Sequence, residues 1–256
     1  MKFSKLYLLV LLAVLWAACG TGRESDQPSA ADSASTADTV SVGPADGMAV
    51  DPENGRTGES ADNDDTSAPT VLFLGNSLSA GSGLDEQDAF PSLIRQRIDS
   101  LGWNFRVINA GLSGETSSGG LRRIDWVLRQ PVDVLVLELG GNDGLRGIPV
   151  DVTRENLREI IRKTRDVYPD VRIVLAGMQI PPNLGHDYTQ RFRAVYPELA
   201  EAEDTYLIPF LLEGVGGVDS LMQGDGIHPT EEGHRLVAEN VWKVLAPVLQ
   251  SMRAES

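Results

Sequence analysis

The stretch that decides the fold is VLFLGNSLSAG, residues 71–81, in which four apolar residues run directly into a turn flanked by glycines. A short apolar run of this kind is typical of a strand buried on both faces. Because Gly75 and Gly81 permit a tight turn, Ser77 can present its hydroxyl free of the core, with backbone N–H groups nearby. Taken alone, a plain strand-to-helix turn with a capping serine is the simpler interpretation.

Further apolar runs follow along the chain and alternate with longer segments of helical spacing. The runs that predict strands are Phe105–Ile108, Val132–Leu137, Val171–Leu175 and a shorter one at Leu207–Phe210. Helices are predicted over a segment that contains Leu157–Thr164 and is capped near Asp151 or Thr153, over Tyr188–Glu203, and from a hydroxyl cap at Thr230 through Leu245. We expect the strands to be buried on both faces. This alternation predicts an α/β fold with a parallel sheet covered on both sides.

The first 68 residues have a different composition. Lys2 and Lys5 precede an apolar run, which is typical of a secretory signal. The tripeptide Ala17-Ala18-Cys19 resembles a bacterial lipobox, although Trp16 stands where leucine is usual. We therefore predict a lipoprotein signal peptide over residues 1–18, lipid attachment at Cys19 and a disordered acidic tether over residues 19–68. An ordinary secreted protein with an incidental cysteine is the alternative.

Charge and cysteine content exclude several classes of function. The formal net charge is −15. Residues 20–68 contain eleven acidic residues, and their basic residues are Arg23 and Arg56. Residues 69–256, about one domain in length, are also acidic overall, so they offer no basic face for a nucleic acid. With Cys19 as the one cysteine of the sequence, an intramolecular disulfide is impossible and a four-ligand structural zinc site lacks its ligands.

Polar, glycine-rich loops follow the predicted strands, and sites on parallel sheets form beyond these carboxyl ends. The loop Asn109–Thr116 lacks the lysine of a phosphate-binding P-loop. The loop Gly140–Gly144 places the Asn142 amide among glycines, although by itself it is only a turn.

Two residues three apart, Asp225 and His228, lie just before the last predicted helix. The carboxylate can fix the tautomer of the imidazole, whose other nitrogen is then free to accept a hydroxyl proton. A metal site at this pair would need further ligands, and too few cluster there. We interpret His186 and His234, which have no such neighbour, as surface residues.

Four segments in this order resemble the SGNH hydrolases, in particular the branch of lysophospholipases, arylesterases and thioesterases. The segments are Gly75–Ser79, Ser113–Thr116, Leu137–Gly147 and Asp225–Pro229. The resemblance spans nearly all of residues 69–256, which we predict to be one SGNH hydrolase domain. It implies a three-layer α/β/α fold with a five-stranded parallel, flavodoxin-like sheet. The absence of Gly-x-Ser-x-Gly from the sequence argues against the larger α/β-hydrolase fold.

The resemblance also implies roles for individual residues. By position, Ser77 is the nucleophile, and Asp225 and His228 complete a catalytic triad. The N–H groups of Ser77 and Gly114, together with the Asn142 amide, form the implied oxyanion hole. The implied activity is that of a serine esterase that hydrolyses carboxylic esters or thioesters through an acyl-enzyme, with no metal or organic cofactor.

Substrate preference is less constrained by the sequence. We expect Leu145, Ile148, Pro181 and Leu184 to border the acyl side of the site, although Ile148 and Leu184 can equally pack on the domain. Asn76 stands where most relatives carry aspartate, so we expect the turn to survive and the activity to be retuned.

Two other functions remain open at this point. A carbohydrate O-deacetylase would need polar and aromatic residues around the groove, and a non-catalytic tethered binding module would not need the five implied site residues together. We expect a monomer in the bacterial cell envelope that acts on a small-molecule or lipid ester and meets the membrane through its N-terminal anchor.

Overall fold

Five parallel strands form the central sheet, in the order β2–β1–β3–β4–β5. The computed structural model describes residues 68–255, so the predicted signal peptide, the lipid-attachment site and all but the last residue of the tether predicted over residues 19–68 lie outside the described residues. The strands are β1 (Thr70–Gly75), β2 (Arg106–Gly111), β3 (Val134–Glu138), β4 (Arg172–Ala176) and β5 (Tyr206–Ile208). The predicted α/β fold with a five-stranded parallel sheet is confirmed.

Helices connect the strands and cover the two faces of the sheet. They are α1 (Ser77–Ala80), α2 (Phe90–Ser100), α3 (Ser117–Val127), α4 (Gly141–Leu145), α5 (Val150–Val167), α6 (His186–Ala202) and α7 (Glu231–Glu255). Helix α2 packs beside α7, and α3, α5 and α6 pack in a row. Because parallel strands need crossovers that return over the sheet, both faces are covered and β1 and β3 are buried at every residue.

The strand β2 departs from the expectation of burial on both faces. All six of its residues are only half-buried, because β2 lies at the edge of the sheet, where fewer helical side chains cover it. It also continues to Gly111, three residues beyond the predicted end, since Asn109, Ala110 and Gly111 pair with the last three residues of β1.

Two helix starts can be compared with their predicted caps. The prediction for α5 was wrong: the helix begins at Val150 after Pro149, and no side chain caps it. Pro149 itself occupies the N-cap position, where its side chain has no acceptor to offer and only its carbonyl takes part, accepting the Val152 N–H at 2.9 Å. The prediction for α7 is confirmed, since the Thr230 hydroxyl accepts the Gly233 N–H at 3.3 Å and the helix begins one residue later.

The order of the strands places the functional loops together. Strand β1 lies between β2 and β3, so the connections from β1 to β2 and from β2 to β3 run in opposite directions across the sheet. Ligands of parallel α/β sheets bind in the crevice at such a reversal, beyond the carboxyl ends of the strands. The loops that follow β1, β2 and β3 meet there. Within residues 68–255, no helix combines the length and apolarity needed to span a membrane.

Candidate active site

The nucleophile turn, residues 75–81, brings Ser77 out of the sheet immediately after β1. Strand β1 ends at Gly75, and the Asn76 Oδ1 accepts the Leu78 N–H at 2.9 Å, which starts α1 with Ser77 as its first residue. Gly81 ends the short helix with a φ of 72°, a left-handed conformation that glycine adopts without strain. The side chain of Ser77 therefore reaches the surface of a cavity instead of the core.

A hydrogen-bonded chain joins the three residues of the predicted triad. The Nε2 of His228 lies 2.9 Å from the Ser77 Oγ, and its Nδ1 lies 2.6 Å from the Asp225 Oδ2. A carboxylate accepts hydrogen bonds only, so Nδ1 carries the proton and Nε2 is left to accept the proton of the serine hydroxyl. This is the arrangement in which a histidine acts as general base for a serine nucleophile.

The turn around Gly226 explains how two residues three apart can face each other. Gly226 has a φ of 68°, and the Asp225 Oδ1 accepts the N–H groups of Ile227 and His228 at 2.9 and 3.0 Å. The backbone N–H of His228, then that of Ile227 and the His228 ring, hold the pKa of Asp225 well below its usual range. Asp225 therefore stays ionised at neutral pH and keeps orienting the imidazole.

Gln223 joins the turn of Asp225 and His228 to Ser82, the residue that follows the nucleophile turn. Gln223 was not identified from the sequence. Its Nε2 donates to the carbonyls of Ser82 at 2.8 Å and Pro229 at 2.9 Å. Its backbone N–H donates to the His228 carbonyl at 2.7 Å. The imidazole and the serine are thus held at a fixed separation by a bridge between their two loops.

Three hydrogen-bond donors belong to residues that line the cavity with Ser77. They are the N–H groups of Ser77 and Gly114 and the amide of Asn142, and all three residues line the cavity. Within the described part of the chain, neither of the two N–H groups donates to another protein atom. The Asn142 Nδ2 donates one hydrogen to the Glu115 carbonyl at 3.0 Å, so its second hydrogen is available. Donors fixed in this way can stabilise the negative charge of a tetrahedral intermediate.

Two buried carboxylates fix the loops after β2 and β3, which carry Gly114 and Asn142. Glu115 forms an ion pair with Arg123, whose guanidinium also donates to the Ala110 carbonyl at 2.6 Å. Asp143 accepts the Ser117 N–H at 2.8 Å and the Ser117 hydroxyl, which joins the loop after β3 to the start of α3. Gly114 and Asn142 therefore belong to a network that was not predicted from the sequence.

An apolar cavity of about 570 Å³ opens beside Ser77. Of the four residues predicted to border the acyl side, Leu145 and Pro181 line this cavity, whereas Ile148 and Leu184 do not. Ile148 instead lies where its carbonyl accepts the Tyr188 hydroxyl at 2.6 Å. Ile180, which begins the predicted loop of Pro181 and Leu184, also lines the cavity, and other apolar residues of the lining were not identified from the sequence: Met178, Phe210, Leu212 and Met222.

The prediction that His234 lies on the surface was wrong. Its side chain is 1% exposed, and its Nδ1 accepts the Phe90 N–H at 3.1 Å. That N–H belongs to the first turn of α2, which has no other side-chain cap, so His234 on α7 caps α2 across the fold. Burial lowers the pKa of His234 from 6.5 to about 4. His186 is exposed, as predicted.

One charged residue lies directly under the nucleophile turn, although it belongs to the sheet. Glu138, the last residue of β3, is fully buried, and its carboxylate accepts hydrogen bonds from Asn76 and Ser79. Burial raises the pKa of Glu138 to about 7, while the hydrogen bonds from Asn76 and Ser79 act in the opposite direction. Among residues 68–255, no three His, Cys, Asp or Glu side chains converge as a metal site would require.

Comparison with known proteins agrees with this geometry. The model of the GDSL-like Lipase/Acylhydrolase family matches residues 73–236. Esterase TesA of Pseudomonas aeruginosa is 44% identical over 183 residues, which cover 71% of this chain and 90% of that protein. Thioesterase 1/protease 1/lysophospholipase L1 of Escherichia coli K12 is 39% identical over 184 residues, which cover 71% of this chain and 86% of that protein. The crystal structure of AlinE4, an SGNH-hydrolase family esterase, shares 39% identity with a TM-score of 0.59, and covers 71% of this chain and 97% of its own.

Proposed function

The chain belongs to the GDSL-like lipase/acylhydrolase family and is a serine ester hydrolase, and we propose that it acts through an acyl-enzyme on Ser77. The observation that carries this proposal is the chain of contacts from Ser77 Oγ to His228 Nε2 at 2.9 Å and from His228 Nδ1 to Asp225 Oδ2 at 2.6 Å. A binding module would have no use for this aligned set beside a cavity.

In the first half of the reaction, the enzyme is acylated. The Ser77 hydroxyl transfers its proton to His228 Nε2 while its oxygen forms a bond to the ester or thioester carbonyl carbon. The carbonyl oxygen becomes an oxyanion and accepts hydrogen bonds from the three donors of Ser77, Gly114 and Asn142. The intermediate then collapses as His228 returns the proton to the leaving alcohol or thiol.

In the second half, water replaces the alcohol or thiol. A water molecule gives a proton to His228 Nε2 while the water oxygen attacks the acyl carbon. The same three donors stabilise the second oxyanion. Collapse of this intermediate protonates the Ser77 Oγ and releases the carboxylic acid. Asp225 stays ionised throughout and stabilises the imidazolium that forms in each half.

We further propose that the substrates carry a medium or long acyl chain, as in lysophospholipids, aryl esters or acyl thioesters. The apolar side chains of the cavity, among them Leu145, Met178 and Ile180, favour a hydrocarbon chain over a sugar. Among the described residues that line the cavity, Phe210 is the one aromatic residue, which gives little support to the carbohydrate O-deacetylase alternative.

The test is a series of p-nitrophenyl esters from acetyl to palmitoyl, with Ser77→Ala as the control. We expect activity that disappears in the control and is highest with medium or long chains. A preference for acetyl alone would favour the deacetylase. Hydrolysis that persists in Ser77→Ala would contradict the acyl-enzyme on this serine.

We also propose that the protein is a monomer anchored in the cell envelope through lipid on Cys19. The order of two lysines, an apolar run and Ala17-Ala18-Cys19 supports this proposal. Incorporation of labelled palmitate into the wild-type protein, but not into Cys19→Ser, is the expected result. A wild-type protein that incorporates no label would contradict lipid attachment at Cys19. Light scattering after gel filtration tests the monomer, for which we expect the mass of a single chain.

A further inference from the structure

Glu138 is a buried carboxylate that the proposed reaction does not use. Its Oε2 accepts the Asn76 N–H at 3.0 Å and the Ser79 hydroxyl at 2.8 Å, and its Oε1 accepts the Asn76 Nδ2 at 2.7 Å. The two residues that donate these bonds flank the pair Ser77-Leu78: Asn76 precedes it and Ser79 follows it. A buried carboxylate is costly for a fold to retain, and an apolar side chain at this end of β3 would cost less.

We propose that Glu138 is a positioning residue, which acts through Asn76 and Ser79 to hold Ser77 in line with His228 and with the oxyanion donors. The proposal rests on Ser77 being the nucleophile. The Asn76 N–H and amide fix the first half of the turn, and the Ser79 hydroxyl fixes the second half. A shift of the nucleophile by about 1 Å can lower turnover about 100-fold, so a fixed turn has a direct kinetic value.

The hydrogen bond from the Asn76 Nδ2 to the Glu138 Oε1 needs one donor and one acceptor, and here Asn76 is the donor. The Asn76 Oδ1 is committed to the Leu78 N–H, so the Nδ2 must face Glu138 and cannot exchange places with the oxygen. A glutamine at position 138 would oppose a donor to a donor in either orientation of its amide, because every partner except the Ser79 hydroxyl is an N–H. An aspartate at position 76 beside that glutamine would restore one donor and one acceptor.

The surroundings of Glu138 leave Asn76 and Ser79 as its direct partners. On α6, burial and the charges of Asp143 and Glu138 raise the pKa of Tyr196 well above its usual value, so this phenol stays neutral. On α3, the Arg123 guanidinium is paired with Glu115. Within residues 68–255, no cation forms an ion pair with Glu138. The ionised form of Glu138 is therefore stabilised by hydrogen bonds and not by an ion pair with a described residue.

The experiment compares the full-length wild type with Glu138→Gln, Asn76→Asp and the double variant Asn76→Asp/Glu138→Gln. The measurements are kcat and KM on p-nitrophenyl butyrate, the rate of fluorophosphonate labelling of Ser77, and thermal unfolding. We expect Glu138→Gln to lower kcat and the labelling rate about 10- to 100-fold with KM changed less than about threefold. The double variant is expected to recover at least about tenfold of that loss.

Asp133→Asn is the matched control. Asp133 also accepts a backbone N–H of β1, that of Thr70 at 2.7 Å, but at the opposite end of the strand from Ser77. Loss of this carboxylate is expected to leave kcat within about twofold of the wild type, since it lies outside the nucleophile turn.

The pH dependence of kcat in Asn76→Asp is a second test of the positioning role, and it does not require Glu138→Gln to fold. Two carboxyl groups in this contact must share one proton, so kcat is expected to fall as that proton is lost at alkaline pH. The wild type is expected to show no such alkaline loss, because its amide hydrogen does not titrate and Glu138, with a pKa of about 7, is already ionised at alkaline pH.

Equal kcat in wild type and Glu138→Gln, or a double variant no better than Glu138→Gln, would overturn the positioning role. A flat alkaline limb in Asn76→Asp would overturn it as well. A wild type that is not labelled at Ser77 would refute the proposed function and this inference together, whereas a labelled wild type with unaffected variants would refute only the inference.

Discussion

Replacing His234 with asparagine is expected to remove a loss of stability that the wild type suffers in acid. The buried imidazole accepts the Phe90 N–H and is neutral, with its pKa lowered from 6.5 to about 4 by burial. Between these two values the unfolded chain binds a proton that the folded chain does not, so stability falls as the pH drops from 6.5 towards 4. The loss is roughly 3 kcal/mol, since each tenfold change in proton affinity contributes about 1.4 kcal/mol.

The assay is urea unfolding of wild type and His234→Asn at pH 7.5 and pH 4.5. The Oδ1 of an asparagine can still accept the Phe90 N–H, so at pH 7.5 the variant loses mainly the packing of the ring. Between pH 7.5 and pH 4.5, the difference in unfolding free energy between the two proteins is expected to move in favour of the variant by roughly 2 to 3 kcal/mol. Glu138 contributes equally to both proteins and cancels.

His186→Asn is the matched control, because it makes the same substitution at an exposed histidine. A difference between wild type and His234→Asn that is the same at both pH values would refute the reasoning. It would mean that His234 is not held neutral in the folded protein.

Three further predictions concern single residues. Asn142→Ala is expected to lower kcat about 100- to 1,000-fold with little change in KM, and initial rates that fall less than threefold would contradict its role as an oxyanion donor. Thr230→Ala removes the cap of α7 and is expected to lower the unfolding free energy by about 1 kcal/mol in urea titrations, whereas an unchanged value would exclude the cap. Gly140→Ala places a Cβ 2.3 Å from the Tyr196 hydroxyl and is expected to destabilise the fold by more than about 2 kcal/mol. Gly102→Ala, also left-handed but with open space around it, should cost clearly less in the same titration.

The sequence predicts the sheet well because buried parallel strands are short apolar runs. Val71–Leu74 lies within β1, and β3 takes up Val134–Leu137 of the predicted run Val132–Leu137 and ends at Glu138; every residue of these two strands is buried, as expected for apolar runs. The edge position of β2 could not be predicted from its own residues, since strand order depends on how the crossovers pack.

Two buried polar residues, His234 and Glu138, had a signal in the sequence that the predictions did not use. His234 precedes Val237 and Val241 by three and seven residues, so helical periodicity places it on the buried face of α7. Glu138 is a charged residue at the end of an apolar strand, which indicates a buried carboxylate with dedicated partners.

The lining of the cavity had no comparable signal. Met178 and Phe210 follow different strands and reach the cavity because their loops fold back over the end of the sheet. Apolar side chains of this kind can equally belong to the core, and sequence spacing does not distinguish the two. This is also why Ile148 and Leu184 were expected at the site and lie outside its lining.

The measurement that tests the central claim most directly is covalent labelling with a fluorophosphonate, followed by mass spectrometry of the labelled peptide. We predict a single adduct on Ser77, a much slower reaction in His228→Ala and none in Ser77→Ala, because the nucleophile depends on the histidine base at 2.9 Å. An adduct on another residue, or a rate that is independent of His228, would contradict the assignment of Ser77 as the nucleophile.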